Sequence, residues 1–182
     1  MSHGERLYTA EHATRDPPYP LLAAAEAGDL SQVADLIAHN TDVNLRSPEG
    51  WSAVIMAAKE GHEEVLARLC DAGANINPPD AITHSAIRGA AIFGREVCVR
   101  FLLAHSADPN VTSGGGKTAL MGAAMNGHAD VLGLLLAHGA HADAVNEFGE
   151  TALAIAEARG HALCAKVLRD ADGGARPQQV VI

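Results

Sequence analysis

The stretch TALMGAAMNGHADVLGLLLAHGAHAD, Thr118–Asp143, is the clearest copy of a unit that recurs along this chain of 182 residues. Its central glycine is Gly127, and glycines recur at steps of 33 residues without an insertion, at Gly28, Gly61, Gly94 and Gly160. A fixed period between about 20 and 50 residues is the signature of a stacked repeat array. The sequence therefore predicts five stacked units.

Each unit has the pattern of two short helices joined by the central glycine. Small alanines precede the glycine, and large apolar residues follow it at helical spacing, as in Val131, Leu132 and Leu135. We predict that the second helix is ended by a residue with a left-handed backbone conformation, at Gly73 and Gly139. Asn40 and Ser106 occupy the equivalent positions and adopt this conformation less readily. The chain is 48% hydrophobic but only 3% aromatic, which favours closely packed helices over sheets. We therefore expect an all-α fold.

The charge of the chain limits its classes of partner. A formal net charge of -9 argues against nucleic acids and anionic membrane surfaces as main partners. Charged residues interrupt the first twenty positions, so neither a signal peptide nor a membrane span is expected there. The sequence predicts a soluble intracellular protein, cytoplasmic or nuclear. Cys98 and Cys164 occupy the position of Val65 and Val131, and we expect them to be buried and too far apart for a disulfide.

The links between units carry a more specific pattern. Asp42-Val43-Asn44 and Asn75-Ile76-Asn77 precede turns, and Thr118-Ala119-Leu120-Met121 is an altered Thr-Pro-Leu-His element. These residues resemble the ankyrin repeat, in which a β-turn and two helices fill 33 residues. The resemblance implies an all-α ankyrin-repeat solenoid of helix-turn-helix units with short β-turn fingers. In the third repeat, Thr83 and Pro78-Pro79 replace the usual turn residues, so its turn is expected to deviate.

The resemblance covers residues 20–172. The predicted boundaries are an N-terminal arm at 1–19, repeats at about 20–46, 47–79, 80–112, 113–145 and 146–172, and a flexible tail at 173–182. The fifth repeat ends in charged residues such as Lys166 and Arg169, which is typical of a capping repeat.

Motifs for catalysis or metal binding are weak. Ser113–Thr118 is glycine-rich, but Val111 stands where a phosphate-binding loop needs glycine. His62, His128 and His161 are whole repeats apart, and even adjacent repeats are separated by roughly 8–10 Å, which is too far for their side chains to share a metal. We interpret these histidines as turn residues. No catalytic residue, metal site or cofactor is predicted.

Residues that break the repetition indicate where a partner binds. Ankyrin proteins generally bind proteins through the turn tips and the outward side of the first helices, along a concave groove. Here the resemblance implies the following partner-binding positions: Trp51, Lys59, Glu60, Ile82, His84, Ile92, Phe93, Lys117, Met125, Asn126, Phe148 and Arg159. An apolar centre with a charged rim is typical of a binding hot spot, and we expect it to be centred on Phe93.

The sequence leaves three functional hypotheses. The first is a non-catalytic adaptor or regulatory protein, monomeric on its own, that binds another protein through the groove. The second is a structural subunit held permanently in a larger complex. The third is a small-ligand-binding or catalytic protein that uses His84, Lys117 and Glu150 at the turn tips.

Overall fold

Helix pairs follow one another in the computed structural model, which describes residues 19–77 and 84–174, with side chains as far as residue 171. The described residues form ten helices: α1 Pro20–Ala27, α2 Leu30–Ala38, α3 Ala53–Glu60, α4 Glu63–Asp71, α5 Ala86–Ile92, α6 Glu96–Ala104, α7 Ala119–Asn126, α8 Ala129–Ala137, α9 Ala152–Ala158 and α10 Ala162–Gly174. Among these residues the only β-pairing is two isolated antiparallel bridges, Arg46 to Ser52 and Ser113 to Lys117. The predicted all-α array is therefore confirmed.

Four of the five first helices, α3, α5, α7 and α9, begin at a Ser or Thr side chain that caps them, whereas α1 begins after Tyr19 without a side-chain cap. Thr118 Oγ1 accepts a hydrogen bond of 3.3 Å from the backbone N–H of Met121, and Ser85 Oγ accepts one of 3.4 Å from Arg88. Each bond satisfies one backbone donor that a helix start leaves unpaired. The altered Thr-Pro-Leu-His element thus keeps its capping residue where it loses its proline.

The predicted helix ends are confirmed. The central glycines adopt a left-handed backbone, as at Gly127 with φ +79°. At the end of the second helix, Gly139 has φ +84°, and the non-glycine residues Asn40 and Ser106 adopt φ of 60° and 62°. The same left-handed backbone conformation therefore follows these second helices, even where the residue is Asn or Ser, for which this conformation is less favourable than for glycine.

The helices pack in two layers. First helices contact one another in the order α1, α3, α5, α7 and α9, and second helices follow in the order α2, α4, α6, α8 and α10. The core lies between the layers, where Leu66, Leu102 and Leu135 are completely buried. Each such side chain contributes roughly 1.5–3 kcal/mol by leaving water. Fully buried alanines such as Ala90 and Ala123 let the first helices approach closely.

Two ladders of hydrogen bonds join neighbouring repeats. Asn110 accepts from the backbone N–H of His141 at 2.8 Å and donates to the carbonyl of Gly139 at 2.9 Å, and Asn44 and Asn77 make equivalent bonds. His128 Nε2 bonds to the carbonyl of Ile92 at 3.0 Å. Such a bond requires the tautomer with hydrogen on Nε2.

Three other side chains bond in the same way to a backbone carbonyl of the preceding repeat. His62 bonds to the carbonyl of Glu26, His161 to that of Met125, and Arg95 Nε to that of Lys59 at 3.1 Å. These side chains therefore fasten each repeat to the one before it, a role that the sequence did not indicate.

Some predictions lie outside the described residues. These are the N-terminal arm before Tyr19, the deviating turn at Pro78-Pro79 and Thr83, and residues 175–182 of the tail. Helix α10 continues to Gly174, so the boundary predicted at residue 172 falls in its last turn. Among the described residues, no helix combines the length and apolar character that a membrane span needs.

Candidate functional site

A groove of about 380 Å³ lies along the first helices of the second, third and fourth repeats. We call it the central groove, and its lining residues are Trp51, Ile55, Lys59, His84, Ser85, Arg88, Gly89, Ile92, Phe93, Met125 and Asn126. Its walls come from α3, α5 and the end of α7, together with the residues that precede α3 and α5. The packing of successive first helices therefore creates it.

An aromatic stack forms part of the lining of the central groove. The rings of Trp51 and His84 lie 3.6 Å apart between centroids and 13° from parallel. The backbone N–H of Trp51 donates to Ser47 Oγ at 3.3 Å, and Ser52, the next residue, caps α3. Trp51 is thus held by its turn while part of its ring stays open to solvent.

Phe93 also lines the central groove and is 41% exposed. Lys59 Nζ lies 5.6 Å from the centroid of the Phe93 ring, a cation–π distance. The Lys59 side chain is only 9% exposed, and Nζ lies 2.7 Å from Glu60 and 4.0 Å from Glu26. Burial raises the pKa of the Glu26 carboxyl, although the Lys59 cation opposes this.

This arrangement differs from the expectation of an exposed charged rim at Lys59. The Lys59 side chain is buried with its Nζ over the Phe93 ring, and its charge is offset by carboxylates of its own and the preceding repeat. Glu60 is occupied in the same ion pair and does not line the central groove.

Two residues that line the central groove, Arg88 and Gly89, were missed by the sequence reasoning. Arg88 is buried, at 7% exposed, where the equivalent residues are the apolar Ile55, Met121 and Ala154. The next residue is Gly89, in the interior of α5. A charged residue at an otherwise apolar repeat position was the signal available in the sequence.

A second, smaller cavity of about 160 Å³ adjoins the fourth and fifth repeats, and we call it the side cavity. It shares Arg88 and Met125 with the central groove, and its remaining lining residues are Lys117, Met121, Gly122, Asn146, Phe148, Glu150, Ile155, Ala158 and Arg159.

The structure therefore places the predicted partner-binding residues in two sets. Seven line the central groove: Trp51, Lys59, His84, Ile92, Phe93, Met125 and Asn126. Lys117, Phe148 and Arg159 line the side cavity, and Ile82 lies outside the described residues. Of the three groups in the small-ligand hypothesis, His84 lines the central groove, whereas Lys117 and Glu150 line the side cavity.

The cysteines are embedded in the array. Cys98 and Cys164 are each 1% exposed, which confirms the predicted burial, and all three cysteines are free thiols. Burial raises the pKa of both Cys98 and Cys70 to about 11, so these thiols stay protonated at neutral pH. In the part of the chain that the structure describes, no three His, Cys, Asp or Glu side chains come together as metal ligands could.

Comparison with known proteins gives two findings. A family model described as ankyrin repeats in three copies matches residues 21–113 and 90–179. Among curated proteins, the mitochondrial disaggregase of Bos taurus is 37% identical over 60 residues. That match covers 33% of this chain and 9% of the relative, so the chain spans only a small part of the relative's length.

Proposed function

Because the chain belongs to the ankyrin-repeat family, whose members generally mediate protein–protein interaction, we propose that it is a non-catalytic adaptor or regulatory protein. Its partner protein binds in the central groove. The net charge of -9 supports a protein partner over a nucleic acid or an anionic membrane. We also propose that the protein is a monomer on its own, lies in the cytoplasm and uses no cofactor.

The observation that carries the proposal is the exposure of Phe93. The equivalent positions in the other repeats are Ala27, Glu60, Asn126 and Arg159, so stacking the repeats does not need an aromatic ring there. Phe93 nevertheless stands at 41% exposure beside the half-buried Ile92 and Met125. An aromatic side chain within an apolar cluster is the usual centre of a binding hot spot.

The groove also limits the entropy that binding costs. Trp51 is fixed by its stack on His84, and Phe93 lies over the buried Lys59. Side chains that are already ordered lose less rotamer freedom when a partner arrives. Displacing water from these rings then contributes to affinity.

Affinity capture from the native cell extract tests the proposal. Three baits are compared: wild type, Phe93→Ala, and Leu163→Ala as a matched control. Leu163 is 63% exposed and lies on α10, outside the residues that line the groove. Thermal melts by circular dichroism establish that all three baits are equally folded.

The proposal expects one protein that wild type and Leu163→Ala retain and Phe93→Ala loses. It fails if the three baits capture the same proteins, or if Phe93→Ala loses folding and binding together, since Phe93 would then belong to the core.

A further inference from the structure

Lys59 lines the central groove, yet its contacts lie within the protein. We infer that Lys59 is a positioning residue, which acts on the partner through Phe93 by holding the Phe93 ring in one orientation. The inference rests on the proposed function and adds to it the residues of the first and second repeats that control its main contact.

The charge of Lys59 is engaged inside the array. Its side chain is 9% exposed, and Nζ lies 2.7 Å from Glu60 of its own repeat and 4.0 Å from Glu26 of the first repeat. Burial raises the pKa of the Glu26 carboxyl, and the Lys59 cation opposes this rise, so the two groups interact across the boundary between repeats. Two carboxylates therefore fix where the ammonium group lies.

Lys59 also contacts the third repeat at both ends of the residue. Its backbone carbonyl accepts a hydrogen bond of 3.1 Å from Arg95 Nε, and its Nζ lies over the Phe93 ring, 5.6 Å from the centroid. Between these contacts α5 passes close to α3, since a Cβ built at Gly89 would lie 3.6 Å from Lys59 Cβ. The side chain thus runs along the boundary between the second and third repeats.

Stacking of the repeats does not need a lysine at this position. The equivalent residues in the other repeats are Glu26, Ile92, Met125 and Ala158. Replacing a buried ion pair by an apolar residue often leaves stability unchanged, so the lysine calls for another reason.

The contact with Phe93 provides that reason. Phe93 is the residue that ends α5, and its ring is 41% exposed, so packing around it does not fix its orientation by itself. A cation over the ring favours one orientation. An anchor that is already oriented loses less rotamer freedom when a partner binds, and affinity rises accordingly.

The first experiment needs no partner. ¹³C relaxation of the phenylalanine rings is measured in the full-length wild type, in Lys59→Met, which copies Met125 of the fourth repeat, and in Lys59→Arg, which keeps a cation. The order parameter of the Phe93 ring should fall in Lys59→Met and stay at the wild-type value in Lys59→Arg. Phe101 and Phe148 should not change in either variant.

An unchanged Phe93 ring in Lys59→Met would overturn the inference. Thermal melts establish that the variants are folded. If Lys59→Met unfolds because it leaves carboxylates unpaired, Lys59→Met/Glu60→Gln removes both charges of the closer pair and takes its place.

The second experiment measures binding. The probe is a labelled peptide from a phage-displayed library of random dodecamers, selected on wild type and counter-selected on Phe93→Ala. By fluorescence anisotropy, Lys59→Met should bind it about 5-fold more weakly, and Lys59→Arg should stay within about 2-fold of wild type. Lys166→Met is the matched control, because it removes the same charge from an exposed site on α10 outside the groove. It should bind like wild type.

A double-mutant cycle shows whether Lys59 acts through Phe93. Phe93→Leu keeps an apolar side chain but has no ring for the cation, so adding Lys59→Met to it should change affinity by less than about 2-fold. A 5-fold loss that persists in Phe93→Leu would mean that Lys59 contacts the peptide directly, and would overturn the inference. An equal loss in Lys166→Met would also contradict it.

The two experiments separate the inference from the proposed function. A selection that yields no peptide dependent on Phe93 would count against the groove as a binding site, while the relaxation measurement would still decide whether Lys59 positions the ring. A peptide that needs Phe93 but binds Lys59→Met like wild type would overturn the inference alone.

Discussion

The third and fourth repeats have the same backbone plan but differ in what their first helices present to a partner. Each has a nine-residue second helix, α6 or α8, and equivalent leucines, Leu102 and Leu135, that are completely buried. The differences lie on or beside α5 and α7, where the third repeat has Arg88, Phe93 and Arg95 in place of Met121, Asn126 and His128.

This comparison separates two sets of positions. The buried leucine positions are the same in both repeats, because every layer has to bury the same surface. The junction position changes from His128 to Arg95 but keeps its bond to the preceding repeat. Positions that face the central groove do not have to bury a surface between repeats, so their residues can vary to suit a partner.

The largest effect is expected in the shared core. Leu102→Ala and Leu135→Ala should each lower the free energy of unfolding by about 3 kcal/mol, since each leaves a cavity in a fully buried layer. Urea denaturation followed by circular dichroism measures this. The two losses should agree within about 1 kcal/mol, and a near-zero loss at either site would contradict a common scaffold.

The next effect distinguishes the groove faces. Phe93→Ala should reduce affinity for the captured partner by about 2 kcal/mol, because the ring is a desolvated anchor. Asn126→Ala, at the equivalent position, should change affinity by less than about 0.5 kcal/mol. Titration calorimetry with purified partner gives both values. Equal losses from the two variants would place recognition on a general surface rather than on the third repeat.

A smaller effect is expected at the junctions. Arg95→Ala and His128→Ala each remove one side-chain hydrogen bond to a carbonyl of the preceding repeat, so each should destabilise by about 1 kcal/mol. Arg95→His gives the third repeat the residue that the other junctions use and should stay within about 0.5 kcal/mol of wild type. Thermal melts check the series. If Arg95→His is as unstable as Arg95→Ala, this junction differs in geometry from the others.

The last effect is absent at neutral pH and appears only in alkaline solution. Burial raises the pKa of Cys98 to about 11, Glu63 adds to the rise, and Arg95 opposes it. The unfolded thiol ionises first, so this contribution to stability is fully present below about pH 9 and is lost as pH rises towards 11. Cys98→Val copies Val131 of the fourth repeat and should lose less stability between pH 8 and 10. Parallel urea midpoints for both proteins over this range would contradict the assignment.

The array itself was predictable because its determinants recur in the sequence. The period of Gly127 and its equivalents set the register, and Asn40 and Ser106 could be recognised as helix ends only through that register. Trp51 and Phe93 were found by the opposite signal, as aromatic residues that the repeat does not require.

The remaining features depend on three-dimensional contacts. The bond from His128 to the carbonyl of Ile92 spans 36 residues and depends on how one repeat rotates onto the last. The burial of Lys59 requires Glu26, Glu60 and Phe93 to meet around one side chain. Arg88 is visible in the sequence as a charged residue at an otherwise apolar repeat position, but its burial depends on the packing of α3 against α5.

The most direct test of the central claim is hydrogen–deuterium exchange of the protein alone and bound to its captured partner. If recognition is concentrated in the central groove, added protection should be strongest at the exchangeable ends of α3, α5 and α7, and should include the backbone around Trp51 and Phe93. Protection confined to the second helices, or absent around α5, would contradict the claim that the third repeat is the recognition surface.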